Sequence, residues 1–205
     1  MKKWKITLHD PGFGLAEFLI SSGILLVISA AVFGMLAETQ RAAGYQNEIH
    51  AVLQNTRMAM SGLERYIRHA GNDPRNTGVL GVTVIGPTEI RLRTDITGLA
   101  GVGNPDKGDP DGDTDDAEED VTIRYNSTNQ SIDITHKGGT PQAFANNISA
   151  LSITCYDAAG AVTNNGADVR RVRISLTGTS AVRNPQTGHS FSQQLSSDIQ
   201  LSARD

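Results

Sequence analysis

A single cysteine, Cys155, in 205 residues leaves no partner for an intramolecular disulfide. A domain exported without one depends on its core, its anchor or a metal for stability. The thiol itself reads as a small buried hydrophobe on a strand rather than as a reactive nucleophile. Cations are in short supply as well. Eighteen Lys and Arg face 22 Asp and Glu, for a formal charge of −4. That argues against a dedicated nucleic-acid binder, which would carry a basic patch. The motifs of catalysis are missing too. There is no phosphate loop, no Cys-x-x-Cys or His-x-x-x-His metal spacing and no Ser-His-Asp grouping that can be placed. The five histidines, His9, His50, His69, His136 and His189, are scattered singly. On these grounds the chain reads as a non-enzyme.

The most informative absence is that of charge between Phe13 and Leu36, where Glu17 is the one ionisable residue. As a helix this run would extend roughly 36 Å at about 1.5 Å per residue, enough to cross a hydrocarbon core of about 30 Å with some tilt. A short basic leader with Lys2, Lys3 and Lys5 precedes it and ends in Pro11-Gly12. By the positive-inside rule the leader stays in the cytoplasm and the body of the chain lies on the far side. A secretory signal peptide would place a small-residue cleavage site after its apolar region, and nothing after Ala37 reads as one. An ordinary single-span anchor accounts for the length but not for an acid at membrane depth, which costs about 3 kcal/mol or more and needs a partner.

Gly12-Phe13-Gly14-Leu15-Ala16-Glu17-Phe18-Leu19-Ile20 resembles the prepilin signature of type IV pilins and type II secretion pseudopilins. The resemblance implies cleavage by a prepilin peptidase between Gly12 and Phe13, and N-methylation of Phe13. It also implies that Glu17 pairs with the terminal amine of a neighbouring subunit, anion against cation in a low-dielectric bundle. Gly14 and Ala16 depart from the family, which usually has Thr or Ser and a large aliphatic there; neither touches the cleaved bond or the acid. Removing the leader takes away Lys2, Lys3, Lys5 and Asp10, a net +2, and leaves −6 apart from the termini.

Beyond the apolar run no proline interrupts Glu38 to Ala70. Tyr45, Ile49, Val52, Thr56, Met60, Leu63, Ile67 and Ala70 recur by threes and fours, an amphipathic stripe at helical period. Gln46, Asn47, Glu48, Gln54, Arg57, Glu64, Arg65 and Arg68 fall on the other faces. Gly71 is the expected C-cap, with Pro74 just beyond. One helix from Phe13 to Ala70 would be roughly 85 Å long. Its first half needs lipid or other helices, and its second half needs a sheet. The junction Leu63-Glu64-Arg65-Tyr66-Ile67-Arg68-His69-Ala70-Gly71-Asn72-Asp73-Pro74 is similar to the helix-to-loop junction of PilW-type minor pilins and J-type minor pseudopilins.

The remainder reads as a β-rich head. Strands are expected at 79–85, 89–94, 121–126, 131–136, 150–156, 169–177 and 197–203, from alternation and β-branched content. Ser127 to Gln130 should close a hairpin. An acidic loop, 103–120, stands apart. Asp109, Asp111, Asp113, Asp115 and Asp120 fall at positions 1, 3, 5, 7 and 12 of a calcium-binding loop. Thr114 stands where the turn glycine belongs, and the closing residue is Asp rather than Glu. The competing reading is a solvated acidic loop.

The resulting expectation is an α+β fold: a leader (1–12), a transmembrane or filament-core helix (13–37), its amphipathic continuation (38–71), and an antiparallel β-sheet head (72–205). The function implied by the resemblance is that of a minor type IV pilin of the PilW type, a structural subunit that initiates pilus assembly at or near the tip. Its implied partners are the prepilin peptidase, other major and minor pilins, and the inner membrane before assembly, with the head periplasmic. Nucleic acid is not an expected partner, and calcium is the one cofactor considered. Two alternatives stand beside this: a J-type minor pseudopilin of a type II secretion system, and a bitopic periplasmic binding protein.

Overall fold

The computed structural model describes residues 14–98, 109–116 and 118–201. A single helix, α1 (Leu15–His69), is followed by eight strands: β1 (Val82–Gly86), β2 (Glu89–Arg93), β3 (Asp120–Asn126), β4 (Ser131–His136), β5 (Gln142–Ala145), β6 (Ile148–Tyr156), β7 (Arg171–Arg183) and β8 (Ser190–Gln200). The chain divides into two compact units, 1–44 and 45–205. The first holds the apolar half of α1. The second holds the amphipathic half and the head. The fold is α+β, a long N-terminal helix packed through its second half on antiparallel sheets.

The head contains two sheets where the sequence suggests one. β1 to β5 form a five-stranded meander, and β6, β7 and β8 a three-stranded one, all antiparallel. Main-chain hydrogen bonds tie them together: Ile148 N–H donates to Gln130 O at 2.9 Å and Ile153 N–H to Pro87 O at 2.8 Å. Both sheets turn alternate side chains toward α1, as the two-residue period of a strand requires. Ile90, Ile123, Ile132, Ile153, Ile174, Leu176 and Ile199 meet Met60, Leu63 and Ile67 in one core. Cys155 belongs to that core, and burial pushes its thiol up to about 11. It is a packing residue at neutral pH, not a thiolate.

Every position of the stripe is covered. Val52, Thr56, Met60, Leu63, Ile67 and Ala70 are buried, Tyr45 and Ile49 partly so. Two close approaches fix the helix on the sheets. A Cβ at Gly178 of β7 would lie 2.0 Å from Thr56 Oγ1, and one at Gly62 of α1 would lie 2.4 Å from Phe144 Cζ of β5. At Gly178 the obstacle is the short, fully buried Thr56 side chain, whereas at Gly62 it is the tip of the partly exposed Phe144 ring, which would have to swing aside. Polar contacts flank the stripe: Ser197 Oγ donates to Glu64 Oε1 at 2.5 Å, and Asn55 Nδ2 donates to Asn146 O at 2.6 Å. The helix ends as expected. Gly71 takes the left-handed conformation, φ 80°, which glycine adopts without a Cβ penalty. Its N–H donates to Arg93 O at 2.8 Å, so the helix end is stitched to β2. Asp73 then closes the following turn by accepting from the N–H groups of Thr77, Gly78 and Val79.

Several boundaries differ from expectation. β5 was not foreseen, because Gln142 to Ala145 has no alternation to betray it. β1 starts three residues later than expected and β7 runs on to Arg183. β8 begins at Ser190 rather than 197. Its polar first half, Ser190 to Gln194, pairs with β7 from Arg183 to Thr177, so partner rather than composition makes it a strand.

Candidate functional site

Two regions carry the residues singled out above, the start of α1 and the acidic loop. At the start of α1, Gly14 O accepts from Phe18 N–H at 3.1 Å, which makes Gly14 the N-cap residue. Gly14 N–H donates to Glu17 Oε2 at 2.9 Å. Glu17 thus reaches back from the third helical position to the N-cap amide, the reciprocal half of a capping box. Its charge also faces the positive end of the helix dipole. Within one chain the acid therefore has a partner of its own, besides the neighbouring subunit's amine that the resemblance implies. Gly12 and Phe13 lie outside the described residues.

The helix that follows is long and apolar enough to cross a membrane, and none of its apolar window is buried among the described residues. Two of its hydroxyls are satisfied internally: Ser22 Oγ donates to Leu19 O at 3.0 Å and Thr39 Oγ1 to Met35 O at 2.8 Å. Back-bonding of this kind is how polar side chains are tolerated where water is absent.

The acidic loop does not assemble the five-aspartate set. Asp120 opens β3 opposite Arg93 in the ladder, and that register carries its side chain to the basic face of the sheet. Arg91 Nε donates to its Oδ1 at 2.6 Å. Arg91 Nη2 and Asp120 Oδ2 form a second, short contact, and Arg93 Nε lies 3.5 Å from Oδ2. Burial alone would raise the Asp120 pKa, but the Arg91 hydrogen bond and the two guanidinium charges outweigh it and hold the carboxyl below 3.8. Asp115 faces Lys137 at 4.0 Å, and Asp109 is exposed. Asp120 is thus withdrawn from the loop, and the expected spacing fails at position 12.

What the fold brings together instead is Asp111, Asp113 and Glu119, with one carboxylate oxygen from each within 4.8 Å of the others. Glu119, missed in the sequence, is fully buried. The main-chain N–H groups of Ile96 and Thr97 donate to its Oε1 at 2.8 and 2.9 Å, while its Oε2 is buried with no partner. Burial raises its pKa above 4.5; the two amides oppose the rise, and the charges of Asp116 and Asp95 add to it. Asp95, also fully buried, shapes the loop by accepting from Asp111 N–H and Gly112 N–H, each at 3.1 Å. Glu119 is separable from Asp120 only once the start of β3 is known, since neighbours in an extended chain point to opposite faces.

A cavity of about 430 Å³ opens between the last turns of α1 and the five-stranded sheet, walled by Arg65, Tyr66, His69, Thr94, Glu119 and His136. Thr94 Oγ1, like Glu119 Oε2, is buried without a partner.

No protein-family model matches the chain, and no curated protein matches it in sequence.

Proposed function

We propose that the chain is a minor type IV pilin of the PilW type, a structural subunit and not a catalyst. One observation carries this reading: a single 55-residue helix has a first half that is apolar and uncovered, and a second half docked on the head along one stripe. Such a helix suits a subunit held first in the inner membrane and later among the helices of neighbouring subunits, with its head outward. Gly12-Phe13 supplies the junction for prepilin peptidase and N-methylation. Glu17 supplies an anion for the new terminal amine of an adjacent subunit, which would replace or share the Gly14 hydrogen bond. Priming of assembly at the tip follows from the resemblance to PilW-type pilins.

The test is the mature N-terminus, read by mass spectrometry in the native host with and without prepilin peptidase. The expected result is N-methyl-Phe13 only when the peptidase is present. A chain that begins at Met1, or is cut after the apolar run, overturns the proposal and leaves a bitopic or secreted β-rich protein. Glu17→Ala should leave cleavage and head stability unchanged and reduce incorporation into filaments; unchanged incorporation counts against the role given to Glu17. Loss of surface pili on deletion, rather than loss of secreted enzymes, separates the pilin from the J-type pseudopilin.

A further inference from the structure

We propose that Asp111, Asp113 and Glu119 form a binding site for a hard divalent cation of the calcium class. An acidic loop alone would not support this, since exposed aspartates are satisfied by water. Glu119 is different. It is fully buried, its Oε1 is occupied by the Ile96 and Thr97 amides, and its Oε2 has no partner. A buried carboxylate oxygen left unpaired is costly, and the groups drawn up beside it are two further carboxylates. Like charges at that distance repel; a cation between them turns the repulsion into coordination and supplies the missing partner.

The donor set is all oxygen, which selects hard ions over zinc or copper. Calcium takes oxygens at about 2.3–2.6 Å, so ligands on opposite sides of one ion lie up to about 5 Å apart. The observed separations, within 4.8 Å, fit that span. Magnesium needs about 2.0–2.1 Å in near-octahedral order, a tighter cluster than this one must form. Main-chain carbonyls and water complete a shell of 6–8. Asp113 is exposed and Asp111 half-buried, so the site is open to solvent from the loop side. Binding would clamp the acidic loop to the start of β3. Through Asp95, which exchanges main-chain and side-chain hydrogen bonds with Asn72, it would also clamp the loop to the segment that follows α1. The site is independent of how the N-terminus is processed.

The test uses the full chain in detergent, stripped with a chelator, and follows thermal unfolding in calcium, in magnesium, and in sodium chloride of matched ionic strength. Millimolar calcium is expected to raise Tm by about 3 °C or more, as a ligand of the folded state must, with a smaller rise in magnesium. Asp113→Asn, at an exposed position, should keep the fold and lose most of the calcium shift; Glu119→Gln should lose all of it. Absence of a calcium shift, a shift matched by sodium chloride, or a full shift retained in Asp113→Asn would each overturn the site. If calcium has no effect and Glu119→Gln stabilises the chain at neutral pH, Glu119 is a buried acid that takes up a proton instead, and the proposal fails.

Discussion

From Leu15 to Leu36 the large apolar side chains of α1 stay exposed, Leu26 by 72 %, whereas Leu63 in the second half is 0 % exposed. Both leucines sit in the same unbroken helix. What differs is the distribution of apolar residues around the axis, nearly all round in the first half and confined to one stripe in the second. A stripe specifies one partner surface, here the two sheets. A helix apolar on all faces specifies only an apolar surrounding, which the described residues do not provide. Among the described residues the first half has no cover, and the second half packs into the core of the head.

The sharpest way to break that comparison is to make one substitution in both halves. Leu63→Ala removes a fully buried side chain from the helix–sheet core and should cost about 3 kcal/mol, a fall in Tm of roughly 10 °C. Leu26→Ala should leave the unfolding of the head unchanged and weaken only retention in the membrane. Thermal unfolding by circular dichroism, with membrane fractionation alongside, checks both. An equal loss of head stability from Leu26→Ala would show that the first half contributes to the fold of the head.

The stripe was fully legible in the sequence because helical periodicity is local and Tyr45 to Ala70 keeps it without a break. Strands with β-branched alternation, such as Ile132 and Ile134 in β4, were legible for the same reason. Features set by distant partners were not. Gln142 to Ala145 becomes an edge strand only because β4 is beside it, and Ser190 to Gln194 only because β7 is long enough to pair with it. Alternation shows which face is buried, not which sheet a strand joins, so the division into two sheets was hidden. The acidic loop failed in the same way. Spacing along the chain suggested Asp120, but the register of β3 delivers that residue to Arg91 and leaves its neighbour Glu119 beside Asp111 and Asp113. Glu17, by contrast, was visible as an acid in need of a partner; that Gly14 N–H is one such partner follows from helix geometry three residues apart.

A second difference between the halves is where ionisable groups act, and pH sharpens it. In the head, two neighbouring carboxyls are shifted in opposite directions. Asp120 has a depressed pKa, so its contribution is present above its unfolded value of about 3.8 and is lost as pH falls through the folded value. Glu119 has a raised pKa, so its contribution is present below about 4.5 and is lost as pH rises through the folded value. Asp120→Asn should destabilise the head by about 2 kcal/mol at neutral pH, less than for a fully buried pair because Arg91 is partly exposed. It should also flatten the acid limb of the Tm profile. Glu119→Gln, in chelator, should flatten the decline above pH 4.5. Helicity of the first half should follow neither change.

The smallest effect probes surroundings without altering stability, and three methionines of α1 supply it. Met35 is 73 % exposed in the apolar half, Met58 is 64 % exposed on the outer face of the docked half, and Met60, two residues on, is 6 % exposed against the sheets. Successive helical positions lie about 100° apart, so Met58 and Met60 point to nearly opposite sides of one turn. Peroxide converts accessible thioethers to sulfoxides, and peptide mass spectrometry reads each site separately. In detergent-free membranes Met58 should oxidise first, while Met60 is shielded by its own protein and Met35 by lipid. Partial extraction that leaves the head folded should expose Met35 and leave Met60 protected. Simultaneous exposure of Met35 and Met60 would mean that one surrounding protects both, and the distinction between the two halves of the helix would then be lost.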